Sequence, residues 1–182
     1  MAMGPAQEIP DRSTPADAGA LAGRAWLAAL PGELAAQRRV MAGLVDRCEA
    51  WPLAITLLVG CSLGRGAADA LSDIDAALGV DAERGEAGAR QVDTVEEMVV
   101  AELPELGALV DVLRHRVERP GQWVRRIFAQ FADGTQLDLA ITAASQIDER
   151  RRAGGAPGLR HLVPGTLPAG RAERARRERA CA

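Results

Sequence analysis

Asp73 and Asp75 stand two residues apart in the run Ser72-Asp73-Ile74-Asp75-Ala76. On an extended strand this spacing sends both carboxylates out of one face and turns Ile74 and Ala76 to the other. Carboxylates held side by side repel, and each raises the other's pKa unless a cation is shared between them. A divalent ion removes that cost, and oxygen ligands alone favour Mg2+. A third acid, Asp138, lies between Leu137 and Leu139 with the same alternation. Three such groups can hold two metal ions roughly 3.5–4 Å apart, stabilising the attacking and leaving oxygens of a phosphoryl displacement.

The segment before the acidic pair supplies groups for an anion. It reads Gly60-Cys61-Ser62-Leu63-Gly64-Arg65-Gly66. Gly60, Gly64 and Gly66 let the backbone come close to a phosphate, Ser62 offers a hydroxyl and Arg65 a cation. A short helix expected over Ala67 to Leu71 would turn its positive end towards the same place. Gly60, Gly64 and Gly66 also satisfy the G-x-x-x-G-x-G loop of short-chain dehydrogenases. Those enzymes need a Tyr and a Lys, and the chain contains neither.

Taken together, Gly60/Ser62, Asp73-Ile74-Asp75 and Leu137-Asp138-Leu139 resemble the pattern of the nucleotidyltransferase superfamily, the fold of DNA polymerase β-like enzymes. The stretch S-L-G-R-G-A-A-D-A-L-S-D-I-D is especially similar to the small bacterial branch that includes aminoglycoside nucleotidyltransferases. The resemblance covers about residues 34–145. It implies a Mg2+-dependent enzyme moving a nucleoside monophosphate from a nucleoside triphosphate, ATP first, to a hydroxyl of a small molecule or macromolecule. By resemblance, Asp73, Asp75 and Asp138 are the catalytic and metal-binding residues of a one- or two-metal site, with Asp138 completing it or acting as base. Gly60, Ser62, Arg65 and Gly66 would hold the nucleotide, Ser62 through its triphosphate. Two departures stand out. Cys61 intervenes where the pattern has Gly directly before Ser, and the helical substrate domain usual in this branch has little room after Asp138. The second reading is therefore non-catalytic: a truncated or degraded transferase, or a toxin–antitoxin-like partner, acting by binding.

Other residues have plainer readings. Asp69 suits a structural hydrogen-bond acceptor, His115 and Arg114 are read as ordinary strand residues, and His161 as solvated. Cys61 has no identifiable histidine to make it a nucleophile.

The elements that must position these groups form an α+β pattern, one mixed β-sheet with helices packed against it. Leu34, Val40, Met41, Leu44 and Val45 recur at helical spacing up to Arg47. Leu53 to Val59 reads as a buried strand closed by Gly60, and Asp73 to Val80 as a second. A helix is expected over Ala89 to Leu103, then strands over Leu109 to Val117 and Trp123 to Phe131. Asp133-Gly134 signals a hairpin turn, and Gln136 to Thr142 alternates cleanly. Residues 1–17 read as a disordered N-terminus, 18–148 as the nucleotidyltransferase domain and 149–182 as an unstructured Arg/Ala/Gly/Pro-rich tail.

Composition narrows the chemistry further. The 182 residues include two Phe, three Trp and no Tyr, so the core must be aliphatic. All 22 basic residues are Arg, which excludes a lysine Schiff base and a P-loop lysine. With only His115 and His161, a multi-histidine metal site is excluded too. Residues 1–150 carry 14 Arg against 23 acids, whereas residues 151–182 carry eight Arg against two. That tail lacks interleaved aromatics, so nucleic acid is not the expected partner. Three widely spaced cysteines suit reduced thiols, no apolar run spans a bilayer, and a cytoplasmic protein is expected.

Overall fold

The computed structural model describes residues 15–51, 53–83, 85–119, 122–152 and 159–163. In chain order the elements are α1 (Pro15–Ala28), α2 (Ala35–Ala50), β1 (Ala54–Val59), α3 (Cys61–Gly64), β2 (Ile74–Val80) and α4 (Glu86–Glu102). They continue with β3 (Leu109–Arg119), β4 (Gln122–Phe131), β5 (Gln136–Ala143), α5 (Ala144–Arg152) and β6 (Arg160–Val163). The six strands form one sheet in the order β3-β4-β5-β2-β1-β6. β2 and β5 run parallel and the other four pairings are antiparallel. The architecture is α+β with a mixed sheet, as the hydropathy pattern predicts. Among the described residues, no helix is long and apolar enough to cross a membrane.

Strand alternation decides which face is core. Leu137, Leu139 and Ile141 of β5 and Ile74, Leu78 and Val80 of β2 are buried among Val40, Met41 and Leu44 of α2 and Val92, Val95 and Val99 of α4. Each fully buried aliphatic side chain contributes roughly 1.5–3 kcal/mol. The other face is left to Gln136, Asp138 and Ala140 on β5 and to Asp75 and Ala77 on β2, and α5 covers only part of it. At Gly79 an added Cβ would lie 3.2 Å from both Ala144 and Ile147, so α5 seats there through the absence of a side chain.

The β3–β4 hairpin is held by charge on its core face. Glu96 of α4 is fully buried and accepts hydrogen bonds from Arg114 Nε (2.9 Å) and Arg116 Nη2 (3.3 Å). Arg125, buried to the same degree, donates through Nε to Asp93 (2.6 Å) and pairs with Glu118 (3.1 Å). A buried charge left unpaired would cost several kcal/mol, so these contacts pin the hairpin's position against α4. The next residue, Arg126, necessarily faces the opposite way. The β4–β5 turn closes at Asp133-Gly134, where Gly134 takes φ +87° and Asp133 is held down to about pKa 2, chiefly by Arg39.

Two expectations need correction. The helix expected over Ala67 to Leu71 is not formed; the helical turn lies earlier, at Cys61–Gly64, inside the glycine-bearing segment itself. Part of the stretch read as a structureless tail is ordered: α5 runs to Arg152, and Arg160–Val163 pairs antiparallel with β1. Residues 153–158 and 164–182, with the rest of that expectation, lie outside the described residues, as do 1–14 of the N-terminal one; α1 begins at Pro15.

Candidate functional site

Asp75 and Asp138 are register partners across β2 and β5, and both carboxylates leave the sheet on its open face. Like charges directly opposite one another on adjacent strands repel. Backbone hydrogen bonding therefore enforces a neighbourhood the side chains themselves disfavour. Burial is the main influence pushing the Asp138 carboxyl above its ordinary value, with Asp75 and Asp73 adding to it. Arg126 works against this. Its Nε donates to Asp138 Oδ1 (3.2 Å) and its Nη2 forms a close ion pair with Oδ2.

The pair lies in a cleft of about 620 Å3 whose walls also include Gly60, Cys61, Arg65, Arg126 and Arg150. Arg65 and Arg150 make no ion pair among the described residues, so two exposed guanidinium groups border two carboxylates. A second hollow of about 200 Å3 adjoins it, lined by Asp73, Asp138, Phe128 and Leu113. Asp138 is common to both. Asp73, exposed and just ahead of β2, opens on the smaller hollow, whereas Asp75 opens on the larger.

The loop after β1 is tied to this floor, since Gly60 N–H donates to the Asp75 carbonyl (2.9 Å). Cys61 then takes φ +50°, the one non-glycine positive φ among the described residues. That region favours glycine, so Cys61 occupies the conformation suited to the glycine of the Gly-Ser pattern. The neighbouring Asp75 carboxylate is the chief cause that pushes the Cys61 thiol's pKa up, with burial adding to it. A thiol kept protonated in this way is not a nucleophile. Ser62 sits half-buried in α3, and its hydroxyl has no partner among the described residues. Neither Ser62 nor Gly66 lines the larger cleft. The four-residue α3 is also too short to present a helix macrodipole.

Asp69 behaves as a structural acceptor: its Oδ1 receives the Leu71 N–H (3.1 Å) and the Ser72 hydroxyl (2.9 Å). His161 is not solvated. It is half-buried on β6, 3.3 Å from the Thr56 hydroxyl and beside Arg151.

Among the described residues, no three His, Cys, Asp or Glu side chains gather into a group able to hold a metal ion. The donor chemistry still suits a hard cation. Mg2+ is commonly bound by only one or two carboxylates, with water and substrate phosphates completing its shell, and Asp75 with Asp138 supply two.

Pattern reasoning missed Arg126 and Arg150. Arg126 approaches from β4, where it pairs with Ala140 and reaches diagonally to Asp138. The only sequence signal is alternation along Val124, Arg126 and Phe128, which puts a cation on the same face as Asp138 once the β4–β5 register is known. No family model and no curated protein sequence matches the chain.

Proposed function

We propose that this protein is a Mg2+-dependent nucleotidyltransferase domain with the nucleotidyltransferase fold. It would transfer a nucleoside monophosphate from a nucleoside triphosphate, ATP first, to a hydroxyl acceptor. The observation that carries this reading is the Asp75–Asp138 register pair at the floor of an open cleft bordered by Arg65 and Arg150. Adjacent carboxylates call for a cation, and unpaired arginines beside them call for an anion. A metal–polyphosphate ligand satisfies both at once.

In this scheme Asp75 and Asp138 hold the metal, and Asp73 faces the acceptor side through the adjoining hollow. Mg2+ bound there would draw charge from the phosphate oxygens and offset charge on departing pyrophosphate. Arg65 and Arg150 hold the β- and γ-phosphates, a task guanidinium forks perform bidentately. The Gly60 N–H is already used by the Asp75 carbonyl, so the loop contributes the shape of the cleft wall and the Arg65 guanidinium in place of that amide.

Calorimetry of ATP binding with and without Mg2+, in the wild type and in Asp75→Asn and Asp138→Asn variants, tests the reading. Metal-dependent binding that weakens in the variants is expected; equal affinity throughout would defeat it. A non-catalytic binding protein is the second reading, favoured by the Arg126 ion pair that occupies Asp138. Nucleotide binding without pyrophosphate release, across a panel of hydroxyl acceptors, would select it.

A further inference from the structure

Arg126 is the only cation bonded to either carboxylate of the register pair among the described residues. Asp138 receives the guanidinium, and Asp75 receives no cation among the described residues. The contact is forked, through Nε and Nη2, and leaves Nη1 without a partner among the described residues. The guanidinium also lies over the Phe128 ring, 4.9 Å from its centroid, on a face that Phe128 and Asp138 share as register partners. Opposite Arg126 stands Ala140, whose small side chain leaves the surface open for the guanidinium to lie on.

The neighbouring arginine provides the contrast. Arg125 is 1 % exposed and locked between Asp93 and Glu118, whereas the Arg126 side chain is 41 % exposed and borders solvent in the cleft. The guanidinium end of this pair is 41 % exposed while the Asp138 side chain is 13 % exposed, so the arginine can swing out to water or phosphate but the carboxylate it leaves needs another cation. A divalent ion and a guanidinium cannot both hold Asp138 without repelling each other, and the guanidinium fork fits a phosphate as well as a carboxylate.

We propose that Arg126 is an exchangeable counterion built into the cleft. It bonds Asp138 while no metal is bound, gives that carboxylate up when a metal–nucleotide pair enters, and turns to the incoming phosphate. The inference rests on the metal–nucleotide reading above. It makes Arg126 a gate that disfavours metal without nucleotide and favours the two together.

The test uses the full chain with Mn2+ as the metal probe, followed by electron paramagnetic resonance of the free ion, and α,β-methylene-ATP as a nucleotide that cannot be turned over. Arg126→Gln and Arg126→Met both remove the charge, and Met keeps the packing on Phe128, so one serves if the other fails to melt cooperatively. Both variants are expected to bind Mn2+ alone about tenfold more tightly than wild type, and the analogue at saturating Mn2+ about tenfold more weakly. Arg126→Lys, which keeps a charge but not the fork, should restore weak binding of Mn2+ alone without restoring analogue affinity. Mn2+ affinities that agree within about twofold, with binding still abolished in Asp138→Asn, would overturn the gate and leave the metal site standing. No Mn2+ binding in any protein, with or without the analogue, would overturn both.

Discussion

Asp75 and Asp138 face the same cleft because β2 and β5 run parallel and in register, not because either side chain seeks the other. Their proximity is a cost borne by the fold, and that cost is measurable.

Neutralising one member should stabilise the protein. Asp75→Asn keeps the side chain's shape and removes a like charge, so a gain of about 0.5–1 kcal/mol is expected without metal. For a chain of this size that is an upward shift of about 1–4 °C in Tm. Mg2+ with ATP should raise the melting temperature of wild type and not of the variant. Thermal melts in chelator and in Mg2+-ATP check both; a destabilised variant in chelator would contradict the repulsion.

Cys61 tests the loop. A non-glycine residue in the left-handed region costs on the order of 1–2 kcal/mol, and glycine avoids that cost while losing more backbone entropy on folding. Cys61→Gly should therefore stay within about 1 kcal/mol of wild type, and Cys61→Val, β-branched at the same φ, should lose about 1–3 kcal/mol. Urea midpoints of the three proteins should rank glycine level with cysteine and valine well below.

Gly23 tests whether β6 belongs to the fold. A Cβ there would collide with the carbonyl of Leu162, a backbone atom that cannot swing aside. Gly23→Ala should cost about 1–3 kcal/mol by chemical denaturation, despite alanine's better helix propensity. A stabilised variant would show that α1 and β6 do not pack together.

His161 gives β6 a pH dependence. Burial, then Arg151, holds its imidazole below the ordinary value, while Asp148 and the Val163 backbone pull the other way. The unfolded chain therefore takes up a proton more readily than the native one. Its contribution is intact above about pH 6.5 and declines as pH falls below that value. Urea midpoints between pH 8 and pH 5 should fall more steeply for wild type than for His161→Gln; parallel curves would remove His161 as the cause.

The parts of the fold that could be read from sequence are those with local causes. β5 announces itself by alternation, with Leu137, Leu139 and Ile141 buried, and the turn before it by Asp133-Gly134. The spacing of Asp73 and Asp75 and the phase of Asp138 put acids at the sheet's open face, although Asp73 opens on a different hollow from Asp75. The missed features depend on partners far away in the chain. β6 has four residues in an Arg-rich stretch and forms because β1 offers an unpaired edge and Gly23 leaves room. Arg126 meets Asp138 only through the β4–β5 register. The one-turn helix lies at Cys61–Gly64 and not at Ala67–Leu71, because the turn is made immediately after β1, where Cys61 accepts a backbone conformation its residue type disfavours.

The sheet order carries a consequence for biosynthesis. β6, the last of the described strands in chain order, covers the outer edge of β1, and Thr56 bonds Val163 across 107 residues of sequence. Until β6 arrives, a nascent chain holding the other described strands presents β1, one of its most apolar segments, as an open edge to neighbouring nascent chains. Chaperone demand during synthesis should then track how long β1 waits for four residues to be translated.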